Sequence, residues 1–273
     1  MDFLAKIVDM KKAESQRLRE AGGLTQFLAA IGRRPACFSL QVALEGRPGP
    51  AIIAEVKRAS PGKGEFAMHW DPRELALSYQ ENGAAAISVL TEVSFFKGDP
   101  EFIRSLRPLI RLPILRKDFI LEEIQVYQSA ALGADALLLI VSLLSPERLR
   151  ALLSLTHSLG LEALVEVHTP GEMAAALDVG GRVIGINSRD LRTLRMFPDR
   201  PLELAPLAPP GVTLVAASGL KTRAEVERYQ AAGIRAFLIG EALVTQTDPG
   251  AKLREFMGNA GSGEAAGTAR PGK

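Results

Sequence analysis

One phrase recurs along the chain, and it limits the fold more than any other feature. "NGAAAISVL", "LGADALLLI", "LGLEALVEV", "VGGRVIGIN" and "AGIRAFLIG" each carry a Gly that can end a helix, a short link and then a β-rich apolar run. Gly just past a helix end with a strand directly after it makes an αβ connection. Helix starts are marked too. Asp71-Pro72, Asp99-Pro100 and Ser145-Pro146 each set a capping residue before a Pro suited to the first turn. Thr169 with Glu172, and Thr222 with Glu225, fit the reciprocal capping box.

These signals place strand ends near Lys57, Leu90, Lys117, Val141, Glu166, Asn187, Ser218 and Gly240, with amphipathic helical stretches between them. Alternating β and α units with near-continuous apolar strands imply a parallel sheet covered on both faces. Eight of them close most naturally into an α/β (β/α)8 TIM barrel. The alternative is an open doubly wound sheet, which usually carries a Gly-rich first turn; none follows the first strand here. Residues 1–50 form an N-terminal helical extension and linker, expected to pack over one end of the barrel. Residues 51–257 form the barrel catalytic domain, and residues 258–273 a disordered tail with almost nothing to bury.

Bulk properties narrow the partners. The 273 residues include 33 basic and 31 acidic ones, for a net charge of +2, and the basic residues are not gathered into a run. Nucleic acid and membrane are therefore not expected partners. The longest apolar stretch, around "ALLLIVSLL", is far short of the ~20 residues that span a bilayer. A single cysteine, Cys37, and charges among the apolar positions of the first twenty residues point to a reduced, cytoplasmic setting.

Charges at strand ends carry the functional signal, because a barrel of this kind works at the C-terminal ends of its strands. "IIAEVKRASPGKG" begins as a core strand, yet Ile53, Glu55 and Lys57 share one face by strand alternation. Burying two charges there is costly unless they are paired or used. Strand three ends at Lys117. Strand five puts Leu164, Glu166 and His168 on one face, and strand six delivers Asn187 and then Arg189. Glu55, Lys57, Lys117, Glu166 and Asn187 would converge on one mouth, where two lysines and two glutamates can tune each other for acid–base work. A structural ion-pair network is the competing reading. His168 is better explained by a structural hydrogen bond.

Strands seven and eight suggest a phosphate. Ser218-Gly219 and Gly240-Glu241 can present backbone N–H groups, with the Glu241 side chain turned away. Phe96, in the loop after strand two, and Phe119, after Lys117, are core caps or walls for a flat ring. The three histidines are scattered and Cys37 has no ligand partner nearby in sequence, so no metal site stands out.

"IIAEVKRASPGKG", "ISVLTEVSFFKG", "PILRKDFI", "DALLLIV", "ALVEVHTPGE", "IGINSRDLRT" and "FLIGEAL", in order from about residue 51 to 245, resemble the indole-3-glycerol-phosphate synthase family of tryptophan biosynthesis. The resemblance implies a small phosphorylated substrate, an anthranilate–ribulose adduct that is cyclised with loss of CO2 and water, no cofactor, and a monomer or weak homodimer. It implies catalytic roles for Lys117, Glu166, Lys57, Glu55 and Asn187. Substrate contacts fall to Ser60, Phe96, Phe119, Leu138 and Arg189, and phosphate contacts to Lys57, Ser218, Gly219, Gly240 and Glu241. The alternatives are another phosphate-sugar barrel enzyme, an isomerase, and a non-catalytic barrel that binds a phosphorylated ligand. Two positions depart from the family pattern. Ala217 stands where Glu is usual and, lying on the opposite side of the strand from Ser218, is expected to change packing rather than chemistry. Gly62 stands where Ser is usual and suggests a more mobile first loop.

Overall fold

A computed structural model describes residues 3–34, 36–61, 63–66 and 70–258. The proposed tail, apart from its first residue, and Gly62 lie outside the described residues. Eight parallel strands form the barrel: β1 (Ala51–Val56), β2 (Ala86–Leu90), β3 (Ile114–Lys117), β4 (Ala136–Ile140), β5 (Glu162–Val167), β6 (Val183–Asn187), β7 (Thr213–Ala217) and β8 (Ala236–Ile239). Each pairs with its sequence neighbours, and β8 pairs with β1, Ala51 opposite Ala236, so the sheet has no edge. This is the (β/α)8 barrel expected from the repeat, not the open sheet. The five glycines of the repeated phrase, Gly83, Gly133, Gly160, Gly180 and Gly233, all take positive φ, which lets each helix end and turn straight into a strand.

Alternation along the strands divides the core into two layers. Ile53, Leu115, Leu138, Leu164, Val215 and Leu238 fill the barrel, whereas Ile52, Ala54, Ile87 and Ile114 pack outward. The outer shell comprises α4 (Pro72–Glu81), α5 (Glu101–Leu106), α6 (Glu123–Leu132), α7 (Pro146–Ser158), α8 (Pro170–Asp178), α9 (Arg200–Leu204), α10 (Arg223–Gln230), α11 (Glu241–Val244) and α12 (Pro249–Met257). Asp71 and Ser145 cap α4 and α7 as their Pro-containing starts predict. Two details differ from expectation. The helix after Asp99 begins one residue later, with the Asp99 side chain accepting from the Glu101 N–H. Thr169 caps α8, but Glu172 turns its carboxylate to the His168 N–H and leaves the box half made. Thr222 and Glu225 complete theirs.

The N-terminal extension holds both ends of the barrel rather than one. Its helices are α1 (Phe3–Glu20), α2 (Gly23–Ile31) and α3 (Leu40–Glu45). The Glu162 carboxylate accepts from the Ser39 hydroxyl and the Gln41 N–H, and the Thr213 hydroxyl donates to Glu45. Glu162 and Thr213 open β5 and β7, so α3 closes the N-terminal end, with Leu40 and Leu44 buried beneath it. At the opposite end α1 delivers Lys11 to Asp118, the residue after β3, at 2.7 Å. The first connection after β1 also holds an unexpected two-stranded hairpin, Ala59–Ser60 against Gly64–Glu65. Among the described residues no helix is long and apolar enough to cross a membrane.

Candidate active site

At the C-terminal ends of the strands lies a cavity of about 600 Å³, and all fourteen residues picked from the sequence line it. That is ample for a small-molecule ligand. β1 supplies Glu55, 6 % exposed, whose Oε1 meets Lys57 Nζ at 2.9 Å. β3 ends at Lys117, with Nζ 3.4 Å from Glu166 Oε2. On β5, Glu166 is 1 % exposed. β6 adds Asn187, which donates from Nδ2 to Glu166 Oε1 at 2.9 Å and accepts the Arg189 N–H on Oδ1 at 3.0 Å. Side chains from three strands thus meet as two Lys–Glu pairs, and a fourth strand adds Asn187.

Glu166 shows how this setting decides a charge. Burial is the strongest influence and pushes its carboxyl up. The Lys117 ammonium, the neighbouring His168 and the Asn187 hydrogen bond together outweigh it and hold the pKa below the ordinary carboxylate value. The group is an anion with one oxygen fixed by an amide and the other facing an ammonium.

The walls differ in character. Phe96 and Phe119 stand with ring centroids 6.3 Å apart at 42°, and Leu138 lines the same cavity. Ser218 has φ 68° and Gly219 φ 83°, a left-handed pair, and both line the cavity. Gly240 caps the short α11, and the Glu241 carboxylate is engaged by Lys63 at 2.5 Å. Ser60 enters from the hairpin after β1, and Arg189 follows β6.

One expectation is corrected. Ala217 lines the cavity, on the same inner face as Val215. Strand alternation along β7 holds, but the left-handed Ser218 ends it, and both neighbours then face the ligand space. A methyl group therefore meets the cavity where the family pattern has a carboxylate, a change in the lining and not only in packing.

Other lining residues escaped the sequence. Lys63 follows Gly62 in "SPGKG", a loop with no periodicity to orient it. Leu191, Leu194 and Met196 come from the irregular segment after β6. Asp118 was hidden as well. It meets Arg116 Nη2 at 2.9 Å, Lys11 at 2.7 Å and the Thr91 hydroxyl at 2.5 Å, all buried. Burial, the largest influence, pushes its carboxyl up, yet Lys11 and Arg116 hold it far below the usual range. The signal for this cluster was Arg116, a charge on the outward face of an apolar strand. Among the described residues no group of three or more His, Cys, Asp or Glu is placed to hold a metal ion.

The chain is similar in sequence and in fold to known proteins. The family model described as indole-3-glycerol phosphate synthase matches residues 4–256. A protein of that name from Carboxydothermus hydrogenoformans is 43% identical over 267 residues, covering 93% of this chain and 99% of its own. One from Dehalococcoides mccartyi is 47% identical over 223 residues, covering 81% of this chain and 86% of its own. Among solved structures, a 3-hexulose-6-phosphate synthase superposes with TM-score 0.61 at 12% identity, covering 77% of this chain and 100% of that one. At that identity the likeness shows the fold alone. Neither the isomerase nor the non-catalytic alternative is favoured.

Proposed function

The chain belongs to the indole-3-glycerol phosphate synthase family, and from that premise we propose how its cavity performs the family's reaction. The substrate is 1-(2-carboxyphenylamino)-1-deoxyribulose 5-phosphate, and the products are indole-3-glycerol phosphate, CO2 and water. The enzyme acts as a carbon–carbon lyase of the carboxy-lyase type. The observation that carries the assignment of roles is the Lys117–Glu166 pair, 3.4 Å apart in the floor of a cavity that also holds the Glu55–Lys57 pair.

An arene carbon must attack a ketone, so a cationic acid beside the carbonyl oxygen lowers the barrier. Lys117 supplies it. Loss of CO2 restores part of the aromatic ring, after which the hydroxyl leaves as water and a C–H proton is removed. Glu166, held as a carboxylate, takes that proton. Glu55 and Lys57 complete the acid–base network, and Lys57 also meets an anionic group of the substrate. Asn187 fixes Glu166 and, with Arg189, orients the substrate's polar groups. Phe96, Phe119 and Leu138 form the apolar wall against which the ring lies, and Ser60 reaches the substrate from the hairpin. The phosphate sits at the turn formed by Ser218, Gly219, Gly240 and Glu241, which offers backbone N–H groups. In this reading residues 51–257 are the catalytic domain and 1–50 its extension. The protein is a monomer or weak homodimer in the cytoplasm, where its one cysteine stays reduced.

A fluorescence assay for indole-3-glycerol phosphate tests this. Wild type should form product, and Lys117→Ala should lose about 10²- to 10⁴-fold in kcat, the usual worth of a positioned acid. Folded wild type that is inactive on the substrate would overturn the function. An unimpaired Lys117→Ala would overturn only the role of Lys117.

A further inference from the structure

The inner face of β5 continues past Glu166 to His168, which does not line the cavity. It lies behind Glu166 and is 8 % exposed. Nδ1 is 3.3 Å from Glu172 Oε2, and the same carboxylate oxygen accepts the His168 backbone N–H at 2.8 Å. Those contacts are the structural bonding expected of this residue. They leave Nε2 unexplained. It is buried, has no hydrogen-bond partner, and lies 3.5 Å from Glu166 Oε1. A buried polar atom without a partner calls for a reason.

The reason is visible in the order of the groups. Lys117 Nζ stands 3.4 Å from Glu166 Oε2, Glu166 Oε1 stands 3.5 Å from His168 Nε2, and Nδ1 stands 3.3 Å from Glu172, whose side chain is 19% exposed. The row runs from the cavity floor to solvent. An imidazole can receive a proton on one nitrogen and release one from the other. We propose that His168 and Glu172 form a proton relay that returns Glu166 to its carboxylate form after each turnover. This rests on Glu166 being the base of the proposed reaction.

The step balances. The C–H bond and the neighbouring C–OH bond of the intermediate break together: the hydroxyl leaves as water with a proton from Lys57, which regains one from solvent, the C–H electron pair becomes the new ring double bond, and the C–H proton goes to the Glu166 carboxylate. Glu166 then gives a proton to Nε2 of the neutral ring while the proton on Nδ1 passes to Glu172 and on to water, and the ring regains its Nδ1–H tautomer by exchange with water before the next turnover. Nothing is oxidised or reduced. The charges facing His168 are Glu166 on β5, Glu172 on α8 and Arg200 at the start of α9. Burial, the largest influence, lowers the imidazole pKa, but the Glu172 hydrogen bond and the two carboxylates outweigh it, so it lies above the ordinary histidine value.

The test measures kcat and KM for wild type, His168→Asn and Glu172→Gln, with and without added imidazole. Asn can keep a hydrogen bond to Glu172 but cannot pass a proton through a ring. His168→Asn should lose about tenfold in kcat, a fraction of the worth of a full acid–base group, with KM nearly unchanged and with imidazole restoring the rate. Glu172→Gln should show a smaller loss of the same kind. An unchanged kcat in both variants, or a loss that imidazole does not restore, would overturn the relay. Should His168→Asn fail to fold, Glu172→Gln alone decides between these outcomes. The wild-type rate keeps the two proposals apart: no wild-type turnover sinks the function, whereas normal wild-type turnover with unaffected variants sinks only the relay.

Discussion

Replacing Gly240 by Ala should damage the reaction far more than the fold. Gly240 has φ −128°, outside the left-handed region that favours glycine. The cost is steric. An added Cβ would stand 3.0 Å from both Cβ and Cδ of Glu55, and closer still to Oε1. Carbon atoms rest comfortably near ~3.5 Å, so the carboxylate must move by about 1 Å. The oxygen that is struck is the one paired with Lys57 at 2.9 Å, and Glu55 is too buried to swing into solvent. Overpacking of this kind costs about 1–3 kcal/mol, which at roughly 2–4 °C per kcal/mol lowers Tm by about 2–12 °C. A misplacement near 1 Å costs about 10²-fold in rate. Steady-state kinetics by the fluorescence assay, with calorimetry for Tm, should therefore show kcat/KM down about a hundredfold in a folded protein. Gly171→Ala serves as control, since nothing lies within 4 Å of its added Cβ. Wild-type kcat/KM and Tm in Gly240→Ala would refute the placement of Glu55 and its part in the acid–base network.

Two further outcomes can be checked by thermal denaturation. Lys11→Met strips a cation from the buried Asp118, which retains Arg116; about 3 kcal/mol should be lost, against less than about 1 kcal/mol for Arg19→Ala at its exposed contact with Glu122. Equal, small effects would show that α1 is not anchored at Lys11. Asp118 and Glu166 both have depressed folded-state values. Below about pH 4 the unfolded chain takes up protons first. Their contribution is then complete above that pH and is lost as pH falls further. Tm should drop from about pH 5 to pH 3, less steeply in Glu166→Gln; a wild-type Tm indifferent to pH over that range would contradict the buried anionic state.

What the sequence disclosed was periodic, and what it concealed was not. Strand ends at Leu90 and Asn187 coincide with the structure because a left-handed Gly and an apolar run mark those units locally; the end at Lys117 also coincides, on the apolar run alone. Glu55, Lys117 and Glu166 were legible because alternation fixes which face they share. Ala217 was misjudged where alternation stops, at the left-handed Ser218. The Lys11–Asp118 pair joins positions far apart in the chain, and no local pattern connects them. Met196 and Leu194 line the cavity from irregular backbone, whose course follows from tertiary contacts and not from spacing.

The seal at the N-terminal end of the barrel sets a schedule for synthesis. Ser39 must meet Glu162, 123 residues later, and Glu45 must meet Thr213, 168 residues later. At about 5–20 residues per second the ribosome takes roughly 10–30 s to deliver that last partner. Throughout that interval Leu40 and Leu44 are among the first apolar groups made and among the last covered. The growing chain carries an adhesive patch until its seventh strand emerges, and a chaperone that reads short apolar segments would find it there.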